Sequence, residues 1–306
     1  MYILEKLMNK ILGDIEPNPT PKYMVRYGFY FDYLKLFLAH IYVYMGPIIA
    51  LYIMFFNGIH FSITDNIKVI LFGFFKILIT FTINHRYFAH NTFSCSRPVA
   101  VLQNLIAATS AQRSPLWWGS KHVRHHKFCE NPGDPHSPQL FGFWYAWLGW
   151  VFYSTEVHID WDYVHPHLKT WEMFWVDALS GFVPYLELYC WNQAYSLKTS
   201  MLVYWATMLS VYITLGFNVF LHHDPELDTE IQPNGRFLCR AHDKCPAWIN
   251  YSIDLLGEMN HYDHHKYPRK ALHPSRLVDV PYWFYIYPAE NLGLFYNVNH
   301  NGLKVK

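Results

Sequence analysis

Charge is scarce in this 306-residue chain: Asp, Glu, Lys and Arg make up only 15% of it, against about 25% in an ordinary soluble domain. Net charge is +1 with histidines neutral, which leaves no basic field to draw a nucleic acid. No glycine-rich phosphate loop is present. Cysteines number five (Cys95, Cys129, Cys190, Cys239 and Cys245), and an odd count without regular spacing argues against a disulfide framework. Cys239, His242 and Cys245 are spaced like part of a zinc site, but no fourth ligand is evident and closed zinc sites want four; the plainer reading is a reduced loop. The N-terminus, MYILEKLMNK, has charges where a cleavable signal peptide needs an apolar core.

Apolar runs and histidines are what the chain has in excess. A bilayer span needs about 20 mostly apolar residues, and four segments are expected to serve: 36–57, 67–84, 172–194 and 200–221. The third is weak, because Asp177, Glu187 and Pro184 interrupt it. The short gaps at 58–66 and 195–199 join the spans into two hairpins. Lysine and arginine number five in residues 1–35, seven in 85–171 and nine after 222. Positive charge marks the cytosolic side, so both termini and the middle segment are expected there. Lys76 falls inside the second span, where a lysine costs about 3 kcal/mol; a polar interior contact or snorkelling would relieve it.

Nineteen histidines are present, and their placement is ordered. HVRHHK carries His122, His125 and His126; HYDHH repeats the spacing with His261, His264 and His265. HRYFAH, with His85 and His90, follows directly on the second span. NVFLHH, with His222 and His223, closes the fourth, and His222 is the favoured ligand of the two. On a helix, residues i, i+3 and i+4 share one face, yet i+3 and i+4 diverge by about 100°. One HxxHH box can therefore feed two neighbouring metals. In HxxxxH the two rings lie about 140° apart on an ideal α-helix, which suits different metals or a helix that ends between them. Nine imidazoles are too many for one ion and about right for two. Imidazole suits iron, copper, zinc and nickel, and dioxygen chemistry makes iron the first choice. His136 is read as structural or as backing a ligand. His40, His60, His158, His165, His167, His242, His273 and His300 are read as ordinary polar residues.

These motifs, in this order, resemble the membrane fatty acyl desaturase family, of which the stearoyl-CoA desaturases are the familiar members. HRYFAH matches the first box, HVRHHK with the downstream Asp-Pro-His of GDPHSP the second, and HYDHH the third. NVFLH matches the family's Asn-x-x-x-His element. The resemblance runs from about residue 70 to about 280. It implies an all-α integral membrane fold: four transmembrane helices in two hairpins under a cytosolic helical cap (85–171 and 222–306), the whole of 1–306 forming one domain. It implies two iron ions (Fe2+) held by His85, His90, His122, His125, His126, His222, His261, His264 and His265, with Asn218 acting through a water. The implied activity is a cis double bond placed in a long-chain acyl substrate, acyl-CoA and Δ9-like, with dioxygen and two external electrons. Two departures matter. Ser120 and Lys121 stand where the acyl-CoA enzymes carry an Arg-Asp pair, so Lys121 is the candidate headgroup contact. No HPGG signature of a fused cytochrome is present, so a separate donor of cytochrome b5 or ferredoxin type is implied. The implied location is the endoplasmic reticulum in a eukaryote and the cell membrane otherwise.

An apolar tunnel would have to place one carbon pair of a featureless chain. Trp117 and Trp118 are its candidate walls, against the plainer reading of interfacial tryptophans. Gly73, twelve residues before His85 and so about 18 Å along a helix, and Val69, a turn further, are its candidate floor. Two rival functions remain at this level: a hydroxylase on the same scaffold, and a metal transporter or sensor. The latter would place its ligands along a path inside the spans.

Overall fold

The computed structural model describes residues 20–222, 229–239, 253–258, 261–273 and 278–300. Its elements are mostly helical. In chain order the principal ones are α1 (Lys22–Phe56), α2 (Ile63–Ala89), α3 (Arg97–Ala108), α4 (Pro115–Phe128), α5 (Trp171–Leu179), α6 (Val183–Ala194), α7 (Leu197–Phe220) and α8 (His261–Lys266). Two small antiparallel ribbons accompany them: β1 (Ser94–Cys95) with β4 (Phe295–Tyr296), and β2 (Thr229–Ile231) with β3 (Phe237–Cys239). The first ribbon ties the C-terminal segment to the loop that follows α2.

Among the described residues, α1, α2 and α7 are long and apolar enough to cross a membrane. Each extends beyond the limits that hydropathy suggests. α2 starts at a capping box, in which the Ser62 hydroxyl accepts from the Asp65 amide (3.2 Å) and the Asp65 carboxylate accepts from the Ser62 amide (2.9 Å); such a pair satisfies two orphan N–H groups of the first turn. α7 starts at Ser196, whose hydroxyl accepts from the Thr199 amide. α1 begins 14 residues before the expected span because its charges are neutralised within the fold: Lys35 pairs with Asp32 (3.0 Å) and with Asp177 of α5 (2.9 Å).

The weak segment 172–194 is helical but divided. A 3₁₀ turn at Ser180–Phe182 separates α5 from α6, and Pro184 sits in the first turn of α6, the one place in a helix where a missing N–H costs nothing. Its two charges answer charges elsewhere. Asp177 meets Lys35, and Glu187 takes the Lys76 ammonium on both oxygens, at 2.7 and 2.6 Å. Lys76 also donates to the Thr109 carbonyl (3.0 Å). The lysine inside the second span is therefore itself buried and meets a partly buried carboxylate partner.

α2 and α7 pack tightly along their length, and Gly73 is where they touch. A Cβ there would lie 3.2 Å from the Ala206 carbonyl oxygen and 3.1 Å from Leu209. Gly73 is a helix-crossing residue packed against α7, and it does not border the cavity beside the histidines. Val69, half-buried one turn earlier, does not border the cavity beside the histidines either. We expect Gly73→Ala to destabilise the chain by about 1–3 kcal/mol, the usual cost of overpacking, measured as unfolding in detergent. An equal or higher unfolding midpoint would show that α7 can give way.

Candidate metal centre

The end of α2 is not an ordinary α-helix. From Thr80 to Ala89 it winds as a π-helix, and the His90 amide donates to the His85 carbonyl five residues back (3.0 Å). The i→i+5 bond brings His90 edge-on against His85, ring centroids 4.6 Å apart, whereas an α-helix would splay them. Such widened turns occur mostly at functional sites. α4 crosses this turn at Gly119, where a Cβ would meet the Phe88 carbonyl at 2.9 Å. Only a glycine lets the backbones approach closely enough for His122 to reach His85 and His90.

Five Nε2 atoms then close a ring: His85 to His90 at 3.2 Å, His90 to His122 at 3.1 Å, His122 to His126 at 3.0 Å, His126 to His264 at 3.0 Å and His264 to His85 at 3.1 Å. Beside it stand His125, His222, His261 and His265. Here His261 Nε2 lies 2.8 Å from that of His222 and 3.0 Å from that of His265; the His125 ring centroid is 4.7 Å from that of His222 and 5.1 Å from that of His265. The His126 and His265 rings stack at 4.0 Å between the groups. Each HxxHH box is thus shared crosswise. His122 and His126 serve the first group and His125 the second; His261 and His265 serve the second and His264 the first.

This donor set fits metal ions. Hydrogen bonding pairs Nε2 atoms two at a time, so an odd ring of five cannot satisfy itself. Metal–imidazole bonds of about 2.1 Å put neighbouring nitrogens about 3 Å apart, as found. Burial, reinforced by the neighbouring rings, holds His90, His122, His126, His261, His264 and His265 well below the usual imidazole range. That direction favours the neutral ring, the form ligation requires. The spacing of HxxxxH was read as suiting different metals or a helix that ends between the two histidines; α2 does end between them, at Ala89, and the π turn before that end brings both rings to one group.

No family model matches the chain. Among curated proteins it is 37% identical over 78 residues to the hex-5-enoyl-[acyl-carrier protein] acetylenase of Moorena producens, a match covering 22% of this chain and 24% of that one. It is 25% identical over 197 residues to the acyl-CoA Delta(11) desaturase of Choristoneura rosaceana, covering 60% and 55%. With a probable acyl-CoA desaturase of Schizosaccharomyces pombe it shares 23% over 236 residues, covering 70% and 45%. The chain is thus similar, over part of its length, to proteins named as acyl desaturases and an acetylenase. It spans between about a quarter and just over half of the length of these three relatives.

Behind the rings of the two groups stand carboxylates that the sequence reading missed or left open. His125 Nδ1 donates to Asp134 (2.8 Å); burial alone would lower its pKa, but Asp134 outweighs burial and raises it. His222 Nδ1 lies 3.3 Å from Glu130, and His85 Nδ1 lies 3.2 Å from Glu258. A carboxylate on the far nitrogen fixes which nitrogen faces the metal. His136 stacks on His125 at 4.4 Å and backs that ligand. Cys129, buried beside His222, is disulfide-bonded, which removes its sulfur as a ligand. His223, His242 and Cys245 lie outside the described residues.

A small cavity of about 40 Å³ touches both groups, bordered by His85, His122, His125, His222 and His261, by Glu258, and by Thr80, Phe81, Trp118, Thr214, Phe217, Asn218 and Leu221. Asn218 and Trp118 are therefore at the site. The Trp118 ring stacks on His122 at 4.8 Å. Trp117 is not at the cavity: it is fully buried against Trp150 and donates to the Glu156 carbonyl. Lys121 is buried too, its ammonium 2.7 Å from Glu156 and 2.9 Å from Asp160; both partners would have to be released for it to meet a headgroup.

Gln112 had no sequence signal, yet it organises the cavity. Its amide donates to Thr214 (2.6 Å) and Thr80 (3.2 Å) and accepts from the Trp118 indole (3.0 Å). The residues on either side, Ala111 (φ 56°) and Arg113 (φ 65°), are left-handed, at about 1–2 kcal/mol each. Arg113 holds this loop by donating to the carbonyls of Val157 (2.6 Å) and Glu156 (3.1 Å).

Proposed function

We propose that the chain is an acyl desaturase, placing a cis double bond in a long-chain acyl substrate at a di-iron centre. The observation that carries this reading is the cavity shared by both histidine groups. Beside its imidazoles and the polar Thr80, Thr214, Asn218 and Glu258 it presents Phe81, Phe217, Leu221 and Trp118, an apolar face that a hydrocarbon group between the two donor sets would meet. His85, His90, His122, His126 and His264 would hold one iron; His125, His222, His261 and His265 would hold the other, with Asn218 reaching it through water. When bound, the iron pair supplies dioxygen-dependent oxidation. The balance is one CH2–CH2 unit, dioxygen, two electrons and two protons giving one CH=CH unit and two waters.

The chain's own residues bind and place. Each buried methylene contributes about 0.8 kcal/mol, so a long chain carries ample energy for holding one carbon pair in register. Gln112 fixes Thr80, Thr214 and Trp118 as one rigid rim, and Trp118 pressed on His122 keeps water from the carbons. Electrons come from a separate donor protein.

α1, α2 and α7 cross the bilayer, with α5–α6 as the fourth span. Matched charges, Asp177 with Lys35 and Glu187 with Lys76, support that depth, because ionisable groups in a membrane face the bundle interior and pair. The histidines then gather at the cytosolic rim, and residues 1–306 act as one domain. A hydroxylase is not favoured, since the relatives named above are desaturases and an acetylenase, all makers of carbon–carbon unsaturation. Their carriers differ, CoA in two and acyl-carrier protein in one.

Expression in a lipid-producing host, with mass spectrometry of fatty acids as dimethyl disulfide adducts, tests the reading. We expect a new product two mass units below its saturated parent, at one fixed position. A product sixteen units heavier, without a double bond, would replace desaturase by hydroxylase.

A further inference from the structure

Three buried carboxylates stand behind the nine imidazoles, and they are shared out unequally. Asp134 and Glu130 each serve one ring of the four-histidine group. Glu258 serves two rings of the five-histidine group: Oε1 lies 3.2 Å from His85 Nδ1, and Oε2 lies 3.7 Å from His264 Nδ1. Glu258 is buried, and neither Nδ1, nor Glu258 Oε1, has a hydrogen-bond partner among the described residues, so the carboxylate faces both rings at ion-pair distance. The two rings come from α2 and α8, 179 residues apart.

The backbone around Glu258 is built to hold it there. Gly257 is left-handed (φ 72°), and a Cβ on it would strike Arg86 at 2.5 Å and Asp279 at 2.7 Å. Arg86, the neighbour of His85, donates to the carbonyls of Leu256 (3.1 Å) and Ala271 (2.8 Å) and pairs with Asp279 (2.9 Å). The turn at 256–258 is thus clasped directly onto the π-helical end of α2.

The geometry points to Glu258 as the positioning residue of the five-histidine group, one carboxylate that aims a ligand from each of two distant segments at the same ion. Glu130 is its counterpart at the four-histidine group. The inference rests on the metal reading above and adds that the two ions are held separately, each through its own carboxylate. An amide at 258 could accept from one Nδ1–H but would present N–H to the other, turning that ring's lone pair away from the metal.

The test is iron content and Mössbauer spectrum of the full chain in lipid nanodiscs, loaded anaerobically with Fe2+. Wild type should hold two irons. Glu258→Gln should bind one of them about 10- to 100-fold more weakly, the usual cost of losing such a partner, so that after desalting about one iron remains and one spectral component is gone. Glu130→Gln should lose the other component. Glu258→Asp, which keeps two acceptor oxygens, should recover much of the lost iron and covers the case in which the amide variant fails to fold. Thermal unfolding of the metal-free wild type and variants should agree. Two irons with an unchanged spectrum in Glu258→Gln, or loss of the same component in both glutamine variants, would overturn the assignment while leaving the metal centre intact. A wild type that takes up no iron would instead sink the metal reading, and this inference with it.

Discussion

His264→Ala should abolish product formation, by more than about 100-fold, in a host that gives a clear product with the wild-type chain. His264 Nε2 is the vertex that closes the five-membered ring, 3.1 Å from His85 and 3.0 Å from His126. Removing it opens the ring and strands four lone pairs, and it also removes one of the two rings facing Glu258. Losing a partner behind a ligand already costs about 10- to 100-fold in affinity or activity, so losing the ligand itself must cost more. His300→Ala is the matched control. That histidine is exposed, with Glu290 at 3.2 Å, and lies outside both groups. Fatty acid profiles of the two variants, at equal protein level in the membrane fraction, decide the matter. If His264→Ala keeps a tenth or more of wild-type product, the ring is not the reaction centre.

The two HxxHH boxes were legible because helical geometry is periodic. Spacing alone says that i+3 turns away from i+4, and the structure sends His125 and His264 to the groups opposite their box-mates. Of the two readings open for the HxxxxH box, a helix that ends between its histidines holds, since α2 stops at Ala89, but the path by which both rings meet was not legible. The spacing assumes 3.6 residues per turn, and nothing in HRYFAH announces a π turn. Asp134 could be noticed within GDPHSP, but Glu258 was passed over although it stands three residues before His261. A carboxylate declares a role behind a ligand only when its distance to an imidazole nitrogen is known. Gln112 is less legible still, since its work depends on left-handed neighbours and on threonines from α2 and α7. Gly73 shows the converse limit: distance from His85 along the helix axis does not say which side a residue faces, and Gly73 packs against α7.

The same blindness to long-range partners made Lys76 a puzzle, and its resolution carries the second large expectation. Glu187→Ala should destabilise the chain by about 3–5 kcal/mol, the cost of leaving one member of a buried pair uncompensated. Lys76 is almost wholly buried, at 1% exposure, and apart from Glu187 its ammonium meets the Thr109 carbonyl. In a lipid setting it has no water to fall back on. Lys76→Met alone should cost less, because Glu187 is 15% exposed and can be hydrated in part. The double variant Lys76→Met/Glu187→Leu should recover most of the loss, since hydrophobic replacements of buried pairs are often neutral or stabilising. Unfolding in detergent micelles, analysed as a double-mutant cycle, gives the three values. Additive losses would mean that the pair contributes nothing as a pair. Strong coupling would mean that α6, too polar to be held in a bilayer by its own hydropathy, is held there by α2.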